Sequence, residues 1–150
     1  MRAVVQRVNW ARVTVDDGLA GRCRTGLLIY VGMFTGDEVS DVEKLADKIA
    51  GLRIFEDEYG KMNHNVRDVR GDILGIPNFT LAADTRKGRR PSFDPAARPA
   101  KARELFEAFV AALKDRGCQV ETGRFGAHMT IESEADGPVN VILDTRPIEG

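Results

Sequence analysis

Histidine, cysteine and long apolar runs are all scarce in this chain, and each scarcity narrows what it does. The two histidines, His64 and His128, are isolated and have no paired ligands at zinc spacing, so no metal site is expected. Cys23 and Cys118 form no Cys-x-x-Cys pair and read as reduced, partly buried thiols. No apolar run approaches the roughly 20 residues that cross a bilayer, so no membrane partner is expected. The opening Met1-Arg2-Ala3-Val4-Val5-Gln6-Arg7-Val8 is interrupted too often by polar residues for a signal-peptide core. The expected location is therefore cytoplasmic. No Gly-x-Gly-x-x-Gly run and no Walker-type loop occurs, which removes the usual dinucleotide and nucleotide signals. Net charge is only -1, so bulk electrostatics select no polyanion.

What is present is an ordinary globular composition, 43% hydrophobic and 30% charged over 150 residues, enough for one domain with a sizeable core. No repeat or linker divides residues 1–150. Alternation in the first 15 residues predicts two strands or one bent strand, and Asp16-Asp17-Gly18 predicts a hairpin turn. Residues 26 to 33 form an apolar run suited to a buried strand. Apolar residues at three- and four-residue steps predict a helix over 37 to 53, with Asp37 as N-cap. A second helix is expected over 99 to 116, opened by Pro99 and stopped by Gly117. Residues 72 to 83 read as a strand containing Pro77, which points to an edge, a bulge or an opening onto a site. Phe125, Ala127, Met129 and Ile131 are expected to share one strand face, with His128 turned to solvent. Val139, Val141 and Leu143 share a face of a last strand that begins at Gly137-Pro138. Strands, helix, strands, helix, strands predict an α+β domain with a mixed or antiparallel sheet and two main helices.

Few residues carry chemistry on their own. Thr80 reads either as a β-branched strand residue or as a site hydroxyl, and no neighbouring histidine activates it. Asn78 either caps the turn beside Pro77 or orients a carbonyl or ribose. Arg7, a cation among valines, either faces solvent or ties carbonyls together with its fork of donors. Gly137-Pro138 is either an ordinary turn or a backbone wall that recognises a substrate amine. Arg86, Lys87, Arg89 and Arg90 crowd around Gly88, either as a solvated loop or as a phosphate-binding patch.

Taken together, long segments of the chain resemble the D-aminoacyl-tRNA deacylase family. They are Met1-Arg2-Ala3-Val4-Val5-Gln6-Arg7-Val8, Leu52-Arg53-Ile54-Phe55-Glu56-Asp57-Glu58-Tyr59-Gly60-Lys61-Met62-Asn63, Ala83-Asp84-Thr85-Arg86-Lys87-Gly88-Arg89-Arg90-Pro91-Ser92-Phe93, Glu121-Thr122-Gly123-Arg124-Phe125-Gly126-Ala127 and Asp136-Gly137-Pro138-Val139. The resemblance covers essentially the whole chain. It implies a barrel-like core and a homodimer with pockets at the subunit interface. It also implies a cis Gly137-Pro138 that enters the partner's pocket and rejects L-amino acids, and hydrolysis of the ester in D-aminoacyl-tRNA without a cofactor. Asn78, Phe79 and Thr80 would be catalytic, with backbone N–H groups near Phe79 and Thr80 holding an oxyanion and the substrate's 2′-hydroxyl assisting water. Gly137, Pro138, Met129, Phe125 and Arg7 would bind substrate, with Phe125 and Met129 near the interface. Arg86, Lys87, Arg89 and Arg90 would bind tRNA.

The family pattern Ser-Gln-x-Thr-Leu reads Pro77-Asn78-Phe79-Thr80-Leu81 here, and Gly-Pro-x-Thr reads Gly137-Pro138-Val139-Asn140. These departures bear on substrate range and rate rather than on fold. Pro77 is shared with a related branch that edits L-alanine and has a trans Gly-Pro. That branch, and a non-catalytic tRNA-binding dimer, are the alternative readings.

Overall fold

One long bent strand organises the sheet. In the computed structural model, which describes residues 1–147, β1 (Arg2–Val15) carries partners along both edges. Residues 2–8 pair antiparallel with β3 (Gly26–Gly32), and residues 11–15 pair antiparallel with β2 (Gly18–Cys23). A fifteen-residue strand at the end of the described chain, Thr130–Asp144, runs antiparallel along the other edge. The β1–β2 hairpin turns through Asp16 and Asp17, both at positive φ (49° and 64°), as a tight two-residue turn requires.

The chain continues through α1 (Val39–Gly51), a small ladder of β4 (Phe55–Glu56) with β5 (Met62–His64), and β6 (Asp72–Pro77). A 3₁₀ turn (Phe79–Ala82), α2 (Pro99–Asp115) and β7 (Gln119–Thr122) follow; the last strand is then β8. β6 joins the sheet parallel to β3, and β7 joins parallel to β6. β2 and β7 then approach without a ladder. A Cβ on Gly21 would lie 2.6 Å from the Thr122 carbonyl oxygen, and the Arg22 N–H donates to the Glu121 carboxylate at 3.2 Å. The sheet is thus a nearly closed barrel backed by two helices, the expected α+β architecture.

Strand alternation divides the apolar residues into two cores. Ala3, Val5, Leu27, Ile29, Val31 and Ile73 pack against Val42, Leu45, Ile49, Leu105, Phe106 and Phe109 of the helices. Val8, Ala11, Val13, Leu28, Leu74 and Ile76 fill the barrel. Regular alternation sends Ala3 and Val5 to the helix side and Val8 into the barrel; β1 reverses parity between Val8 and Ala11, where its pairing with β8 slips a second time, so Ala11 and Val13 also face the barrel. A slip of one residue reverses which side a side chain faces. Arg7 keeps the parity of Ala3 and Val5 and therefore lies on the helix side.

Four expectations need correction. The strand expected over 72 to 83 stops at Pro77, and Thr80 lies in the 3₁₀ turn. β8 starts at Thr130, so Phe125, Ala127 and Met129 precede it in a turn where Gly126 has φ 75°. Gly137-Pro138 lies inside β8 rather than at its start. Asp37 is not the N-cap of α1, which begins after Glu38 with the Glu38 N–H donating to Asp41 at 2.9 Å. Gly117 (φ 84°) ends α2 as expected, and His128 is exposed.

Asp37 is instead almost wholly buried. It accepts the Phe34 N–H at 2.7 Å and faces the buried Met1 ammonium at 2.9 Å, which also donates to the Thr145 hydroxyl at 2.8 Å. Removing one partner of a buried ion pair leaves the other charge uncompensated, at a cost of about 3–5 kcal/mol. For a domain of this size, Asp37→Ala should lower Tm by roughly 10 °C in thermal unfolding followed by circular dichroism. A shift within about 1 °C of wild type would show that the pair contributes little.

Candidate active site

Pro77 ends β6 without cost to the sheet. β7 makes its last backbone bond to β6 at Gly75, through the Gly123 N–H at 3.0 Å, while the Asn78 N–H returns to the Val31 carbonyl at 2.8 Å. The donor that proline lacks would therefore point past the end of β7. The 3₁₀ turn then folds back over the end of β3. A Cβ on Gly32 would sit 2.8 Å from the Asn78 carbonyl oxygen and 2.9 Å from the Leu81 Cβ, so only glycine admits this approach.

The Asn78 side chain organises the turn. Its Oδ1 accepts the Thr80 N–H at 3.2 Å and the Thr80 hydroxyl at 2.5 Å. The Thr80 hydroxyl is thus a donor to an amide oxygen, which does nothing to make it a nucleophile. Its N–H is occupied too, so of the two N–H groups expected to hold an oxyanion, that of Phe79 is the one with no acceptor among the described residues. It is the first N–H of the turn, before the turn's own hydrogen bonds begin. The Arg2 guanidinium pins the far side by donating to the Leu81 carbonyl at 2.9 Å.

The second expected segment is built by a mismatch in register. Gln6 pairs with Asn140 and Val8 pairs with Ala135, so residues 136–139 stand opposite Arg7 alone and bulge out of β8. Arg7 holds the base of that bulge. It is 6% exposed, donates to the Ile54 carbonyl at 2.7 Å and the Asp136 carbonyl at 3.2 Å, and lies 3.1 Å from the Asp136 carboxylate. The reading of Arg7 as a tie between carbonyls is the correct one. The partner of Arg7 is Asp136, a residue that no local signal marks and that sits immediately before Gly137. Gly137-Pro138 is cis, with Gly137 at φ 138°, and both residues are exposed.

The other expected residues are less evenly placed. Met129 packs into the barrel beside Ile76, and both meet at Gly123, where a Cβ would lie 2.5 Å from the Met129 sulfur and 3.3 Å from Ile76. Met129 therefore underlies the strand that leads into Asn78. Phe125 turns towards α2 instead, 6.4 Å from the Phe106 ring and with the Arg103 guanidinium 4.9 Å above it. No hydrogen bond or ring contact among the described residues joins the Asn78–Thr80 turn to Gly137-Pro138.

Between them lies an open sheet face. Val4 is paired with Tyr30 on one side and with Ile142 on the other. Directly paired residues point to the same face, and Ile142 is 70% exposed.

The basic segment is a closed loop. Asp84 and Ser92 exchange backbone hydrogen bonds at 2.7 and 2.9 Å, enclosing residues 85–91, and Gly88 supplies a positive φ of 66°. Arg86 forks onto the Asp84 carboxylate at 2.9 and 2.8 Å, and these bonds hold the Asp84 carboxyl down at about 2. With the folded value depressed, the contribution of this pair is present above the ordinary carboxylate range and is lost as pH falls through about 2. Lys87, Arg89 and Arg90 are exposed. Burial pushes the Cys23 thiol up to about 11 and raises Cys118 as well, which leaves neither poised as a nucleophile. Among the described residues no group of three His, Cys, Asp or Glu side chains is arranged to hold a metal ion.

Fold and site together define a class: a helix-backed, nearly closed barrel whose site offers main-chain groups, one amide and one hydroxyl. The family described as D-Tyr-tRNA(Tyr) deacylase matches residues 4–144. A D-aminoacyl-tRNA deacylase of Koribacter versatilis is 53% identical over 146 residues, 97% of this chain and 98% of its own. One from Thermotoga petrophila is 51% identical over 145 residues, 97% of each chain. Among solved structures, a c-Myc DNA unwinding element binding protein superposes with a TM-score of 0.92 at 34% identity, covering 98% of this chain and 100% of its own. A probable eukaryotic D-amino acid tRNA deacylase shares the fold, with a TM-score of 0.84 at 16% identity over 95% of this chain and 97% of its own. The chain belongs to the D-aminoacyl-tRNA deacylase family.

Arg7→Met tests the clamp beneath the bulge. It leaves the buried Ile54 carbonyl unpaired, at about 1–3 kcal/mol, and releases residue 136. In ¹⁵N relaxation the order parameters of Gly137 and Val139 should fall below about 0.6 while those of β3 stay near 0.85. Unchanged values at Gly137 and Val139 would show that Arg7 does not hold this segment.

Proposed function

We propose that this chain hydrolyses the ester between a D-amino acid and the terminal ribose of tRNA, as a cytoplasmic homodimer whose pockets are completed across the subunit interface. The observation that carries the dimeric site is the bulge at residues 136–139, held outward by Arg7 and joined by no bond to the Asn78–Thr80 turn of its own subunit. A segment that is rigid at its base and exposed at its tip suits insertion into a second subunit. The neighbouring face, with Ile142 exposed and Val4 and Tyr30 half-buried, suits an interface core.

The residues divide the work as follows. Water adds to the ester carbonyl, and the resulting oxyanion is met by the Phe79 N–H. Asn78 spends its Oδ1 on Thr80 and keeps its amide N–H groups for the carbonyl or the ribose. The ribose 2′-hydroxyl assists the water, the C–O bond to the ribose breaks, and the D-amino acid and tRNA separate. Thr80 fixes Asn78 through its hydroxyl and is a positioning residue in this scheme. Gly137 and Pro138 present backbone and a rigid ring where an L side chain would have to go, and neither can rotate away. Met129 shapes the pocket from the barrel side and Phe125 from the α2 side. Arg86 stiffens the basic loop by its bonds to Asp84, and Lys87, Arg89 and Arg90 meet the phosphates.

Pro77 is the feature shared with enzymes that edit L-alanine. Here it removes no sheet bond and leaves Asn78 in hydrogen-bonding position, and relatives 51% and 53% identical to this chain are D-aminoacyl-tRNA deacylases. The test is hydrolysis of D-tyrosyl-, L-tyrosyl- and L-alanyl-tRNA under one set of conditions. The D-tyrosyl ester should be cleaved at least ~100-fold faster than either L-ester, since a steric wall discriminates by more than a missing methylene does. Faster release of L-alanine than of D-tyrosine would overturn the assignment in favour of L-alanine editing, and no release of any would leave a tRNA-binding dimer.

A further inference from the structure

The 3₁₀ turn that carries Phe79 is held in front by Asn78 and from beneath by the end of β3, but the space behind it is not filled. A cleft of about 740 Å³ opens there, lined among others by Arg2, Phe34, Ala82, Asp84 and Asp144. Arg2 reaches from β1 across this edge to the turn. It donates to the Leu81 carbonyl at 2.9 Å and to the Asp144 carboxylate at 3.0 Å. Asp144 is its directly paired neighbour on β8 and is itself forked by Arg146 at 3.0 and 2.8 Å. The Arg2 guanidinium also lies 5.3 Å from the centre of the buried Phe34 ring. Its plane is thus fixed on two sides before it meets the turn.

The turn's own hold on this end is weak. The Leu81 N–H reaches the Asn78 carbonyl only at 3.4 Å, beyond the usual range of a good hydrogen bond. Successive peptide units in a helical turn lie nearly parallel, so holding the Leu81 carbonyl at one end sets the direction of the Phe79 N–H at the other. Leu81 also lies between Phe79 and Asp84, where the basic loop closes. A fixed Leu81 lets that loop take up phosphates without turning the Phe79 N–H.

Resting on the deacylase reading, we propose that Arg2 is a positioning residue of the reaction: it fixes the Leu81 carbonyl and through it the aim of the Phe79 N–H at the oxyanion. Arg2 itself touches neither the water nor the ester. A donor aimed at charge that develops in the transition state acts on kcat rather than on substrate binding, and a small misplacement of such a group costs up to about 100-fold.

Arg2→Met in the full-length protein keeps the apolar stem and removes every donor. In turnover of D-tyrosyl-tRNA its kcat should fall roughly 10- to 100-fold while KM stays within about 2-fold of wild type. Arg12→Met is the control. Arg12 forks onto Glu132 at 3.1 and 2.9 Å, a second β1–β8 ion pair at the far end of β1 from the turn, and its loss should leave kcat unchanged. In ¹H–¹⁵N spectra the Phe79 amide should shift in Arg2→Met and hold its place in Arg12→Met. Arg2→Lys should give an intermediate kcat, because an ammonium on a flexible stem holds two acceptors less well than a planar fork; if Arg2→Met does not fold, Arg2→Lys decides by the same two readouts. Wild-type kcat with an unmoved Phe79 amide would overturn the proposal. So would equal losses of kcat in Arg2→Met and Arg12→Met, which would mark a general loosening of the β1–β8 pair, or a loss confined to KM, which would make Arg2 a substrate contact. The two readings fail separately. A wild type that releases no D-tyrosine loses the deacylase reading, and the Phe79 amide then decides whether Arg2 sets the turn. A wild type that deacylates beside an Arg2→Met protein of equal kcat loses the positioning role alone.

Discussion

Everything distinctive about this site depends on the point where β1 and β8 fall out of register. One residue of β1, Arg7, faces four residues of β8, 136–139. A bulge of that size would ordinarily be a loose loop. Here its first residue is bonded through both carbonyl and carboxylate to a guanidinium buried on the helix side of the sheet, which is bonded in turn to the Ile54 carbonyl. The rigid planar fork of arginine makes two such bonds at once, which a lysine ammonium on its flexible stem does less well. The buried charge is tolerable because it is paired and hydrogen-bonded. The tip, Gly137-Pro138, is left outside the sheet with no flexible side chain of its own.

A second slip, between Val8 and Trp10, decides how the rest of the barrel packs. Before it, alternation divides Ala3 and Val5 of the helix-side core from Val8 in the barrel; beyond it, Ala11 and Val13 fill the barrel too. At the other edge of the site, Gly32 lets the 3₁₀ turn rest on the end of β3, and Gly123 lets Met129 and Ile76 meet beneath it. Asn78 then fixes Thr80 by two hydrogen bonds. The Thr80 hydroxyl thus serves the geometry of the turn, and in the proposed scheme the polarising group is the Phe79 N–H.

Much of this was legible in the residues. Both helices, the Asp16-Asp17-Gly18 hairpin and the buried strand at residue 26 followed from periodicity and turn chemistry, because those signals are local. Arg7 was recognisable as a cation misplaced among valines. Its carbonyl partners were not, since Ile54 and Asp136 reach it only through tertiary structure. Asp37 looked like a helix cap because aspartate before a helix usually is one, and a long-range partner, the Met1 ammonium, claimed it instead. Thr80 looks like a strand residue because it is β-branched and stands between apolar Phe79 and Leu81, yet the strand ends at Pro77 and Asn78 opens a turn. The family resemblance, resting on long segments in order, carried the activity and the cis Gly137-Pro138, neither of which follows from periodicity.

The central claim is that each site takes its 78–80 turn from one subunit and its 137–138 tip from the other. Mixed dimers test it most directly. Two inactive variants are needed, Asn78→Ala and one with Gly137 and Pro138 both replaced by Ala, each shown to fold and to dimerise. In the mixed dimer one of the two sites receives an intact turn and an intact tip, so an equal mixture should recover roughly a quarter of wild-type deacylation, as expected for an isologous two-fold interface. Mixed dimers that form but recover no activity would contradict the account and return both halves of the site to a single subunit.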